Sequence, residues 1–181
     1  MPVLSEQFRE ILYEQRRLLL VTWIMFFIAL GFYLMIPEIT SKHLPPQVDY
    51  PYTKQVRDTF WVISIVSAAF LVWVKSHSHT VQAIFRASRQ PLEIMDLKGD
   101  TPVEKDAERL IFSYRSRMIV AFSLSEMIAI FGLVLALIGD YRSDQQVFSL
   151  ISASLLIYFY PSRTFFDELI GECERREMRR T

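Results

Sequence analysis

Apolar side chains run almost unbroken through four stretches of the chain: 18–36, 59–74, 118–139 and 147–160. A helix rises about 1.5 Å per residue, so the first stretch, LLLVTWIMFFIALGFYLMI, matches a hydrocarbon core of roughly 30 Å. Backbone amides cannot stay unpaired in lipid, so each stretch is expected to be helical. The second is short but carries Trp61 and Trp73 as interfacial anchors. The third holds a single charge, Glu126. The fourth is the shortest and closes on Tyr158, Phe159 and Tyr160 before Pro161. Its length also suits a buried core helix, but a hairpin partnership with the third stretch argues for a span.

The expected fold is an all-α integral membrane protein with four transmembrane helices in two hairpins. The spans are joined by an outer loop at 37–58, a cytoplasmic connection at 75–117 and a short outer loop at 140–146. Orientation follows from Lys and Arg. The segments 1–17, 75–117 and 161–181 together hold sixteen of the 20 basic residues, which places both termini on the cytoplasmic side. The first apolar stretch is expected to stay as an anchor. Glu6, Glu10 and Glu14 precede it, and no small-x-small cleavage site follows.

The cytoplasmic segments carry helical periodicity of their own. Leu4, Phe8, Ile11, Leu12 and Leu19 share one face. Thr101-Pro102-Val103-Glu104 reads as a capping box with proline at the first helical position, followed by the face Val103, Ala107, Leu110, Ile111 and Tyr114. Phe165, Phe166, Leu169, Ile170 and Cys173 form a third face after Pro161. Such faces lie on the headgroup layer, pack under the bundle or dock a partner helix; alternatively, they simply extend the spans. A weak internal repeat is also present. A slide of about 101 residues sets Tyr13 on Tyr114, Arg16 on Arg117 and Gly31 on Gly132.

Composition narrows the function classes. Apolar types make up 51% of the 181 residues, and acidic and basic residues balance at 20 each, so no basic excess advertises nucleic acid. One cysteine excludes a disulfide framework or a multi-cysteine metal site. With five glycines there is no GxGxxG or GxxxxGK[ST] motif. No Ser/His/Asp, Cys/His or paired-carboxylate constellation stands out, and no metal or cofactor is expected. His77 and His79, two residues apart, diverge on a helix, and His43 stands alone.

Glu126 is the intramembrane ionisable residue, about eight residues or roughly 12 Å inside the third span. A carboxylate there must be neutralised, paired or wet. It is either a proton-exchanging group, with Ser123 and Ser125 beside it, or a hydrogen-bonded tie to a serine or backbone carbonyl across the bundle. Ser64, Ser67 and Ala68 on the second span, with Ser149, Ser152 and Ala153 on the fourth, form small-residue stripes expected to bring those helices together. Arg16, Arg17, Arg115, Arg117, Arg175, Arg176, Arg179 and Arg180 are candidates for contact with anionic lipid or a partner.

The string Glu126-Met-Ile-Ala-Ile-Phe-Gly132-Leu-Val-Leu-Ala-Leu137 resembles the carboxylate helix of ATP synthase subunit c and its vacuolar relatives. That resemblance implies a proton-carrying role for Glu126. It covers about a dozen residues. The glycine-repeat helix of that family is absent from all four stretches, and this carboxylate helix opens a hairpin where the family's closes one. The expectation from the whole chain is a non-enzymatic subunit or scaffold of a membrane complex, set against one alternative, proton or ion translocation through Glu126. The expected partners are membrane lipids and either other membrane subunits or further copies of the chain. The expected location is a bacterial inner membrane.

Overall fold

The computed structural model describes residues 6–40, 52–78 and 102–177. The described chain is helical throughout, with no strand. Five helices follow in order: α1 (Glu6–Thr40), α2 (Thr53–Ser78), α3 (Pro102–Gly139), α4 (Arg142–Tyr158) and α5 (Arg163–Glu177). Among the described residues, three helices, α1, α2 and α3, are long and apolar enough to cross a membrane. Only 11% of the apolar window is buried in α1 and α2, against 44% in α3. α3 is therefore the most buried of the three, whereas α1 and α2 turn most of their apolar side chains outward, as lipid-facing helices do.

Several helices outrun the apolar stretches that announce them. α1 continues through Pro37 to Thr40, and α2 already begins at Thr53. Only Asp140 and Tyr141 separate α3 from α4, so the polar run Arg142–Gln146 is helical where a loop was expected. Asp140 takes the left-handed conformation (φ 54°) at this corner, which a short polar side chain tolerates. Gly139 is required there for space, because a Cβ would lie 2.5 Å from the Tyr141 ring.

The chain divides into two compact units. One comprises 1–21, 74–119 and 161–181. In it the sequence-read amphipathic faces pack on one another: Leu12 and Leu19 of α1, Ala107, Leu110, Ile111 and Tyr114 of α3, and Phe166, Leu169, Ile170 and Cys173 of α5 are all buried. Tyr114 stacks on Phe165 (4.5 Å between centroids) and meets Phe166 edge-on. Arg9 pairs with Glu174, Tyr13 donates to Asp167 at 2.7 Å, and Arg115 donates to Gln15 at 2.9 Å. The Asp167 carboxylate raises the Tyr13 pKa by accepting this bond, with burial adding to the effect. α3 is helical from its first described residue, Pro102. Leu4 and Thr101 lie outside the described residues.

The other unit comprises 22–73 and 120–160 and draws on four helices. α4 is its centre. The buried positions Asp144, Gln145, Phe148, Ser149, Ser152, Leu155 and Leu156 recur at helical spacing along it. Gly132 lets α3 approach, since a Cβ there would lie 2.8 Å from Phe148 Cβ and 3.0 Å from Gln145 Cα. Trp61 of α2 packs on Phe148 (4.7 Å), Phe60 stacks on Phe131 of α3 (4.4 Å), and Phe26 of α1 meets Phe122 of α3. The indole N–H of Trp23 donates to the Leu156 carbonyl at 2.8 Å. Tyr160 donates instead to Ile157, so Trp23 satisfies one of the carbonyls that the end of α4 leaves over.

Candidate functional site

The polar groups buried in the second unit begin with a proline. Inside a helix Pro37 has no N–H to offer, and the carbonyl four residues back, that of Tyr33, loses its partner. Gln145 of α4 fills the gap: its side-chain Nε2 donates to Tyr33 O at 2.7 Å. The same Tyr33 sends its hydroxyl to α3, donating to Glu126 Oε1 at 2.7 Å. Tyr33 therefore ties α1 to α4 through its backbone and to α3 through its side chain.

Glu126 is half-buried and its partner is a tyrosine, which corrects the expectation of a serine or backbone carbonyl. The neighbouring serines take no part in this bond. Ser125 is fully buried and donates to Ala121 O of its own helix at 2.8 Å, and Ser123 is exposed. Consecutive helical residues point some 100° apart, so Ser125 and Glu126 serve different neighbours.

A second node joins α2 to α4. Arg57 grips Asp144 with two parallel bonds, Nε to Oδ2 at 2.5 Å and Nη2 to Oδ1 at 3.1 Å. Trp61 Nε1 approaches Oδ1 at 3.4 Å, and the guanidinium lies 5.0 Å from the Tyr141 ring centroid. Close by in sequence, Arg142 bonds Asp140 at 2.8 Å and Glu38 at 3.1 Å. The pattern of apolar stretches had assigned this polar set to solvent-facing loops. The signals that would have found it are the proline that directly follows the first apolar stretch and an acid and an amide, Asp144 and Gln145, about one helical turn before an apolar run.

The small-residue stripes lie in the same unit. Ser64, Ser149 and Ser152 are buried, while Ser67, Ala68 and Ala153 are half-buried. The hydroxyls of Ser64, Ser149 and Ser152 have no hydrogen-bond partner among the described residues. The two glycines aligned by the internal repeat differ in setting: Gly132 is tightly packed, and Gly31 has nothing within 4 Å of a Cβ position.

The basic candidates belong to the first unit. Arg115 is engaged with Gln15, Arg175 lies 3.3 Å from Glu172, Arg17 is exposed, and Arg16 and Arg117 are half-buried. The Arg176 side chain, and Arg179 and Arg180 altogether, lie outside the described residues, as do His43 and His79. His77 is exposed and bonded to Ser76 at 2.8 Å. No group of three or more metal-ligating side chains gathers among the described residues. No protein-family model matches the chain, and no similar curated protein or solved structure is found.

Proposed function

We propose that this protein is a non-enzymatic integral subunit or scaffold of a membrane complex, N-in and C-in, with α4 as a fourth, short crossing. The observation that carries the reading is the use made of the buried polar side chains in the second unit. Tyr33, Glu126, Gln145, Arg57 and Asp144 are bonded to one another or to backbone across helices, as ties that fix helix positions. In the first unit the amphipathic faces pack on one another, giving an ordered helical module that a partner can recognise from outside. At 17 residues α4 is about 25 Å long, close to the thickness of a hydrocarbon core. The positive-inside asymmetry supports the orientation, and a bacterial inner membrane is the proposed location.

The basic residues Arg16, Arg17, Arg117 and Arg175 would meet the partner or the anionic headgroups that surround it. The test is recovery of the native complex from its own membrane with Arg17→Glu and Arg175→Glu. Loss of a co-purifying subunit at unchanged abundance supports the proposal, and undiminished recovery counts against this surface. The alternative, proton or ion passage through Glu126, has its support in the half-buried carboxyl on an apolar helix and in its resemblance to the rotor carboxylate helix. It requires Glu126→Gln to abolish activity.

A further inference from the structure

A serine inside a helix usually satisfies its hydroxyl by donating to the carbonyl four residues back. Ser125 and Ser154 do so, each at 2.8 Å. Ser64, Ser149 and Ser152 do not. All three are at least nine-tenths buried, with residue exposures of 1%, 4% and 0%, and their hydroxyls find no partner among the described residues. A buried hydroxyl left unpaired lowers the folding equilibrium constant by about fivefold or more. Three of them on one contact call for a common explanation.

Two contacts fix the register of the helices that carry them. Arg57 meets Asp144 and Trp61 meets Phe148, so α2 and α4 run parallel with a constant offset of 87 residues. Continued for one turn, that offset sets Ser64 of α2 between Ser149 and Ser152 of α4. Ser149 and Ser152 are three residues apart and share the buried face of α4. The level is about 15 Å from the start of each helix, well inside the bundle.

We propose that the contact between α2 and α4 holds bound water, bridging the Ser64 hydroxyl to those of Ser149 and Ser152. The chemistry of the lining selects water over an ion. The nearby acid Asp144 is taken by Arg57, so the three hydroxyls present neutral donors and acceptors with no charge to hold a cation. A buried water makes about three hydrogen bonds, the number these hydroxyls provide. Ser67, Ala68 and Ala153, near them on the same two helices, are small and half-buried. The α2–α4 contact is thereby a hydrated joint about one turn beyond Trp61 and Phe148.

The test uses the full chain in bilayers with labelled serine, read by water-edited solid-state NMR. Signals of Ser64, Ser149 and Ser152 should receive magnetisation from water early. Ser125, equally buried but bonded to its own backbone, should receive it late. Slow transfer at all three, matching Ser125, overturns the proposal. A stability measurement adds an independent sign. If water bridges the hydroxyls, Ser64→Ala and Ser152→Ala each lower the folding equilibrium constant about fivefold, and the double variant loses less than the product. If the contact is dry, removal of either unpaired hydroxyl raises the constant, and the proposal fails.

Discussion

Gln145 supplies, from a different helix, the hydrogen bond that Pro37 denies to Tyr33. Its amide lies 2.7 Å from the Tyr33 carbonyl, the acceptor that an N–H at position 37 would otherwise occupy. Proline inside a helix both removes a donor and crowds the carbonyl behind it. Here the freed carbonyl becomes a docking point for α4, and α1 continues to Thr40.

This relationship predicts a coupled pair. Gln145→Ala leaves the Tyr33 carbonyl unpaired and should cost about 1–3 kcal/mol. Pro37→Ala restores an N–H within α1, so in the Gln145→Ala background it should recover much of the loss. Unfolding titrations of the two single variants and the double variant measure the coupling. Additive effects would contradict the substitution of one donor for the other.

Tyr33 and Glu126 make a second prediction. A glutamine at 126 keeps an oxygen that can accept from the Tyr33 hydroxyl, so Glu126→Gln should leave fold, abundance and complex formation nearly unchanged. Tyr33→Phe removes the donor and should cost about 1 kcal/mol. Thermal melts in detergent and recovery of the complex are the measurements. Loss of function in the Gln variant at full abundance would favour proton passage instead.

The glycines of α1 and α3 should respond in opposite directions. Gly132→Ala drives a Cβ to 2.8 Å from Phe148 Cβ and 3.0 Å from Gln145 Cα, an overpacking expected to cost about 1–3 kcal/mol. Gly31→Ala meets nothing within 4 Å and should stabilise α1 by up to about 1 kcal/mol through helix propensity. Paired thermal melts of the two variants decide this.

Asp144 is buried and depends on Arg57. Arg57→Ala strands a buried carboxylate beside Trp61 and should lower stability markedly. Arg57→Leu combined with Asp144→Leu should lose less than Arg57→Ala alone, because no buried charge is left over. A larger loss in the double variant would contradict this reading of the pair.

Much of the fold is legible in the sequence because lipid imposes a coarse rule: long apolar runs become helices. The three long helices follow from the apolar runs, and helical periodicity marks the amphipathic faces around Tyr114, although it leaves open whether they meet lipid, a partner or one another. The fourth helix is harder to read. Its first turns, Arg142 to Gln146, are polar and look like loop, since their partners Arg57, Glu38 and the Tyr33 carbonyl are distant in sequence. Glu126 stands out as a lone charge, but nothing in the spacing points to Tyr33, 93 residues away. The serine stripes were expected for their size, whereas their unpaired hydroxyls emerge only when neighbouring helices are in place.

The central claim, a membrane subunit whose buried polar groups are structural ties, is tested most directly by native mass spectrometry of the protein gently extracted from its own membrane. A subunit of this kind should be recovered in a defined complex with at least one other polypeptide. A monomer, or a ring of identical copies with no other subunit, would contradict it.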